Sequence, residues 1–143
     1  MAIVVGDLVG LRAWGLAYAA EMPMIQFGPP RPSRSPSGRE RVTGEYALHI
    51  QCHWSIILAA GLRHETNVTV DTSNHSLGAA LAFEPQVAAV HDDDAVTRIT
   101  LENGAILELD SASCVQDEES WRLLRPGRAE PHLVRRGRGI EYE

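Results

Sequence analysis

His49, Cys52 and His53 are the residue types from which metal centres are built, and they lie close together in the chain. On a strand, His49 and His53 share a face but stand about 13 Å apart at roughly 3.3 Å per residue, while Cys52 points the other way, so the three cannot hold one ion. On a helix the two imidazoles would be neighbours at i and i+4, the arrangement zinc proteases use. The alternation of Tyr46, Leu48, Ile50, Cys52 and Trp54 against Ala47, His49, Gln51 and His53 has period two, which predicts a strand and no metal site. His64-Glu65 lacks a second histidine four residues on, so it is no metalloprotease motif. Asp92-Asp93-Asp94 supplies oxygen ligands but lacks the glycine and distal glutamate of a calcium loop, and reads better as a solvated turn. Glu118-Glu119 likewise reads as a charged turn rather than an acid/base pair.

Other polar and aromatic side chains remain: Trp14, Gln26, His49, Gln51, His53, Trp121, Arg122 and His132. Their convergence on one sheet face would make a site for a small ligand or a peptide. The predicted ligand-binding set is His49, Gln51, His53, Trp121, Arg122 and His132, with Arg122 for an anionic group and tryptophan for apolar contact. The competing reading places the tryptophans in the core and the rest on an ordinary surface. No nucleophile elbow, phosphate-cradling glycine loop or dinucleotide fingerprint occurs, so no catalytic residue and no cofactor is predicted. Ser111 and Ser113 carry no such signal. The arginine-rich segments are not interleaved with aromatics and the pI is about 5.5, which argues against nucleic acid.

Strands must position these groups. Residues 46–58 read as the central strand, and residues 22–27 as a second one. Residues 11–20 alternate large and small side chains and suit a strand, with an alanine-rich helix as the competitor. Residues 28–44 hold prolines, serines and arginines and read as a long mobile loop. Residues 96–110 flank Asn103-Gly104, which predicts a hairpin closed by a type I′ turn. A strand at 86–91 precedes it, a short strand is placed at 67–70, and the tail adds strands at 121–124, 132–136 and 140–142. Residues 77–83 give one helix, with Pro85 opposing its extension. The predicted class is α+β, mainly antiparallel β: about eight strands in a sheet, partial barrel or sandwich, with one short helix.

A chain of 143 residues fits one domain with a sufficient core, and 44% apolar and 22% charged residues are ordinary globular values. Every one of the 13 basic residues is arginine, which points to a GC-rich bacterial genome. The net charge of −6 hides a split: arginines gather in residues 28–44 and 122–138, and carboxylates in residues 65–119. Cys52 and Cys114, far apart in apolar surroundings, read as buried free thiols. Ala17-Tyr18-Ala19-Ala20 mimics a signal-peptide cleavage site, but Asp7 and Arg12 interrupt the apolar run and no basic segment precedes it. A cytoplasmic location without membrane contact is therefore expected, and the sequons at Asn67 and Asn74 are read as accidental.

Residues 44–54, 101–109 with their Asn-Gly turn, Glu119-Ser120-Trp121-Arg122, Pro131-His132-Leu133-Val134 and residues 137–141 together resemble, in order, a family of small uncharacterised bacterial proteins. The resemblance spans nearly the whole chain. It implies a bacterial, intracellular, single-domain protein and no particular activity. The chain departs from the family pattern at Ser55, where arginine is usual, at Asp110-Ser111-Ala112, where a phenylalanine-proline turn is usual, and through residues 59–74. Three functional expectations follow from all of this: first a non-catalytic module binding an anionic ligand or a protein, then a small enzyme with His49 or His132 as general base, then a homodimer joined through a strand edge.

Overall fold

The structure, a computed structural model, describes residues 2–34, 37–58, 63–65, 70–93, 95–115, 117–137 and 139–143, and for 63–65, 70–74 and 113 the backbone alone. The strands are β1 (Ala13–Ala19), β2 (Met22–Phe27), β3 (Arg31–Arg34), β4 (Glu40–Thr43), β5 (Tyr46–Ile50), β6 (His53–Ile57), β7 (Arg63–Glu65), β8 (Val87–Asp92), β9 (Val96–Leu101), β10 (Ile106–Asp110), β11 (Glu119–Leu124), β12 (Leu133–Arg136) and β13 (Gly139–Tyr142). Among the described residues one α-helix, α1 (Val70–Leu81), follows β7, and short 3-10 turns form at Val5–Leu8 and Ser111–Ser113. A six-stranded sheet runs β1-β2-β5-β11-β12-β13, a five-stranded one β7-β6-β10-β9-β8, and β3 pairs with β4 alone. Among the described residues every pairing is antiparallel and neither sheet closes into a barrel. The α+β class holds, with more and shorter strands than the eight expected. No helix among the described residues is long and apolar enough to cross a membrane.

The run 46–57 is extended, as its alternation demands, but it is not one strand. Gln51 and Cys52 both donate their backbone N–H to Ser120 O, at 2.8 and 2.9 Å. Two donors on one carbonyl mark a bulge, which bends the chain and carries it from the six-stranded sheet into the five-stranded one. Leu48, Ile50, Trp121, Leu123 and Leu133 from the first sheet then meet Trp54, Ile56, Ile99, Leu107 and Leu109 from the second. Leu77, Ala80 and Leu81 of α1 and Ile3, Val5 and Leu8 near the start complete this core. At the opposite margin Arg12 bridges to Gln86, and Val87 N–H donates to Leu11 O at 2.8 Å.

Three local expectations need correction. Residues 28–44 are not a structureless loop: Arg31 to Arg34 pair with Glu40 to Thr43. Trp14 Nε1 donates to Gly28 O at 2.7 Å and Gln26 Oε1 accepts from Gly44 N at 2.9 Å, so both ends of the hairpin are tied by side chains that composition cannot reveal. The helix begins at Val70, earlier than the apolar residues that suggested it, so Val70 lies in no strand and 66–69 fall outside the described residues. At Asn103-Gly104 only the glycine has positive φ, at 87°, and Leu101 N–H donates to Ala105 O at 2.8 Å. That is a three-residue loop ending in a left-handed glycine, not type I′. The Asn103 side chain, which accepts from Ala105 N–H and donates to Ala80 O, holds it. Both cysteines are free thiols, and burial raises the Cys52 pKa to about 11.

Candidate functional site

On β5, Ala47 and His49 point away from the core that Tyr46, Leu48 and Ile50 face. His49 stands opposite Arg122 on β11 and Met24 on β2, and Arg122 stands opposite Val134 on β12, which in turn opposes Glu141 on β13. One cross-strand row on the outer face of the six-stranded sheet is therefore His49, Arg122, Val134 and Glu141. His132 and Glu143 extend β12 and β13 by one pair, exchanging backbone bonds of 2.7 and 3.0 Å, and by parity they share this face.

Glu119 reaches the same face for a different reason. Three residues apart on a regular strand, Glu119 and Arg122 would point to opposite sides. The register between β11 and β12 shifts between Glu119 and Trp121, with Ser120 as the extra residue, and the shift restores Glu119 to the side of Arg122. Its carboxylate accepts from Arg122 Nη2 at 2.8 Å and from Nε at 3.3 Å, a forked pair, and it also accepts from Gln51 Nε2. Glu143 lies 3.5 Å from Arg122 Nη2 and 2.5 Å from Arg136 Nη2, while Arg136 Nε donates to Glu141 at 3.1 Å.

Arg122 Nη1 lies 2.9 Å from His132 Nδ1. A guanidinium has only N–H donors, so Nδ1 accepts, the proton of His132 sits on Nε2, and the imidazole is neutral. Burial, and after it the Arg122 charge, holds both His49 and His132 below the ordinary histidine pKa. The unfolded chain therefore takes up these protons first as pH falls. Their contribution to stability is complete above about pH 6.5 and is lost below it. Urea-unfolding stability is expected to drop as the pH is lowered below about 6.5, and to drop less in His49→Gln and His132→Gln. Unchanged pH dependence in both variants would remove the imidazoles from the network.

Of the predicted residues, the fold brings together His49, Gln51, Arg122 and His132. Trp121 is not with them. It is 1% exposed and lies in the core on the reverse side of the sheet, because its neighbour Arg122 takes the outer face. His53 is exposed but belongs to β6, beyond the sheet switch. Trp14 and Gln26 anchor the β3–β4 hairpin instead. Glu119 and Glu143 were missed. The Glu119–Arg122 spacing looks helical in a strand context, and Glu143 becomes visible only once β12 and β13 are paired. Four cavities formed by the described residues lie elsewhere, lined by groups such as Trp14, Arg31 and Ile140. The chain matches no protein-family model, no curated protein and no solved structure.

Proposed function

We propose that this chain is a non-catalytic binding module of the bacterial cytoplasm, a member of the small family it resembles, whose outer sheet face takes a hydrogen-bond acceptor presented by a protein partner or an anion. The observation that carries this reading is the clamp on Arg122. Glu119 takes its Nε–H and one Nη2–H, His132 takes one Nη1–H, and Glu143 stands by the other Nη2–H. One Nη1–H and the Nε2–H of His132 remain as donors beside Gln51 and His49. Donors held by neighbours lose little entropy when an acceptor arrives. Glu119 and Glu143 already offset the Arg122 charge, which favours a neutral carbonyl carried by a partner surface over a carboxylate or a free small anion.

Catalysis by His132 is disfavoured on the same geometry. A general base needs a free ring nitrogen, and Arg122 occupies Nδ1. His49 retains a neutral imidazole and carries the enzymatic alternative, whereas a homodimer through a strand edge is the structural one.

The test is a thermal-shift screen with acetate, phosphate and blocked dipeptides, repeated on Arg122→Ala, His49→Ala and the control His53→Ala. A stabilising shift lost in the first two and kept in the control supports the face. A shift that survives Arg122→Ala and His49→Ala discards it.

A further inference from the structure

The arginine-rich stretch 28–44 folds as the β3–β4 hairpin, and it lies against the loop that joins β11 to β12. Both walls are fixed. Trp14 and Gln26 tie the two ends of the hairpin. The loop reverses at Arg125-Pro126-Gly127-Arg128, where Arg128 N–H donates to Arg125 O at 3.1 Å and Gly127 takes φ 74°, a type II turn with proline and glycine in the places it favours. Arg125 clasps Glu45 at the foot of the hairpin and Glu130 in the loop, each at 3.3 Å, and so holds one wall to the other. Between the walls lies a cavity of about 700 Å³, a size that suits a small ligand.

The charges along this cavity do not balance. Glu40 faces Arg34 at 3.8 Å, and Glu45 and Glu130 are taken by Arg125. Arg39 has a partner of its own, and Arg41, opposite Ser33 on β4, adds charge of the same sign. Arg31 and Arg128 line the cavity, one from each wall, and have no hydrogen-bond or ion-pair partner among the described residues. Arg31 and Ser33 are the half-buried pair of β3, alternating with Pro32 and Arg34. A Cβ added at Gly127 would stand 3.8 Å from Ser33 Oγ, so this pair faces the loop. That hydroxyl is buried and has no hydrogen-bond partner among the described residues.

We propose that this cavity binds a small phosphate monoester whose organic part is aliphatic. Such a group carries a charge of about −1.5 to −2 at neutral pH and offers three acceptor oxygens, which matches two guanidinia and a hydroxyl reaching it from two walls. A carboxylate brings a single charge and oxygens in one plane, and leaves one guanidinium unanswered. Pro32, Pro126 and Gly127 supply further lining, and no aromatic ring lies there among the described residues to stack on a nucleobase. The net charge of −6 opposes anion binding by the chain as a whole, and the local excess of guanidinium reverses that at this place. The cavity shares no residue with the outer sheet face.

The experiment is calorimetric titration of the intact chain with glycerol phosphate. Saturable binding at one site is expected, about tenfold tighter than that of dimethyl phosphate or acetate, which carry a single charge. Arg31→Gln and Arg128→Gln are each expected to weaken it about tenfold, and the double variant to abolish it. Arg128 is exposed, so its variant reports even if Arg31→Gln folds poorly. Ser33→Ala is expected to weaken binding about threefold without lowering urea stability, because the folded chain loses no hydrogen bond there. Arg122→Ala should leave the affinity within about twofold. A phosphate response kept in Arg122→Ala and lost in Arg31→Gln belongs to this cavity, while the neutral blocked dipeptides report on the sheet face. No saturable binding, equal affinity for the diester, or affinity unchanged in the double variant overturns the proposal. Tighter binding of adenosine monophosphate than of glycerol phosphate overturns the aliphatic assignment.

Discussion

Trp121→Ala is expected to destabilise the fold by about 3–5 kcal/mol, a large part of the roughly 5–15 kcal/mol that holds a domain together. Trp121 is 1% exposed and stands opposite Ile50 on β5 and Arg135 on β12, beside the bulge where the chain changes sheets. Removing the indole opens a void between the two sheets that neighbouring strands, tied on both sides, cannot collapse to fill. Among the described residues its Nε1 has no hydrogen-bond partner, so Trp121→Phe discards an unsatisfied donor while keeping most of the ring, and should cost less than about 1.5 kcal/mol. Urea denaturation measures both. A cost for the alanine variant below that of the phenylalanine variant would mean that the ring is not part of the core.

Glu119→Ala is expected to cost about 2 kcal/mol and to abolish binding at the outer face. The carboxylate is the shared acceptor for Gln51 and Arg122, and the pair is shielded, with side-chain exposures of 14% and 25%. Without it Arg122 keeps only Glu143 at 3.5 Å and is free to leave His132, so the prearranged donors are lost. Glu119→Gln keeps the shape but not the charge and should fall between the two. A double-mutant cycle with Arg122→Met isolates the pair term. Costs that add within about 0.5 kcal/mol would show that the two groups are not coupled, and the clamp would then carry no function.

Much of the architecture could be read locally. The alternation from Tyr46 to Trp54 requires extended backbone, and His49 lies on the side that alternation assigns it, because strand periodicity depends only on covalent geometry. Residues 96–110 form the expected hairpin for the same local reason, although the loop geometry differs. Trp121 shows where such reading stops. A tryptophan beside an arginine on a strand looks equally like a binding pair and like core next to surface, and only the position of the second sheet decides between them. Glu119 shows a further limit: its partner lies on its own strand, yet an irregularity imposed by neighbouring strands is what brings the two together.

The amino-acid order by itself determined which segments are extended, where the Asn103-Gly104 reversal falls and which side of β5 carries imidazole, since these depend on residues a few positions apart. The tertiary structure alone decided that the 46–57 run divides between two sheets at Gln51 and Cys52, that Glu119, Arg122, His132 and Glu143 form one network, and that β13 is left as a margin. Those outcomes rest on contacts between strands distant in sequence, where bulges and register shifts change the face that a residue occupies, and no local pattern encodes them.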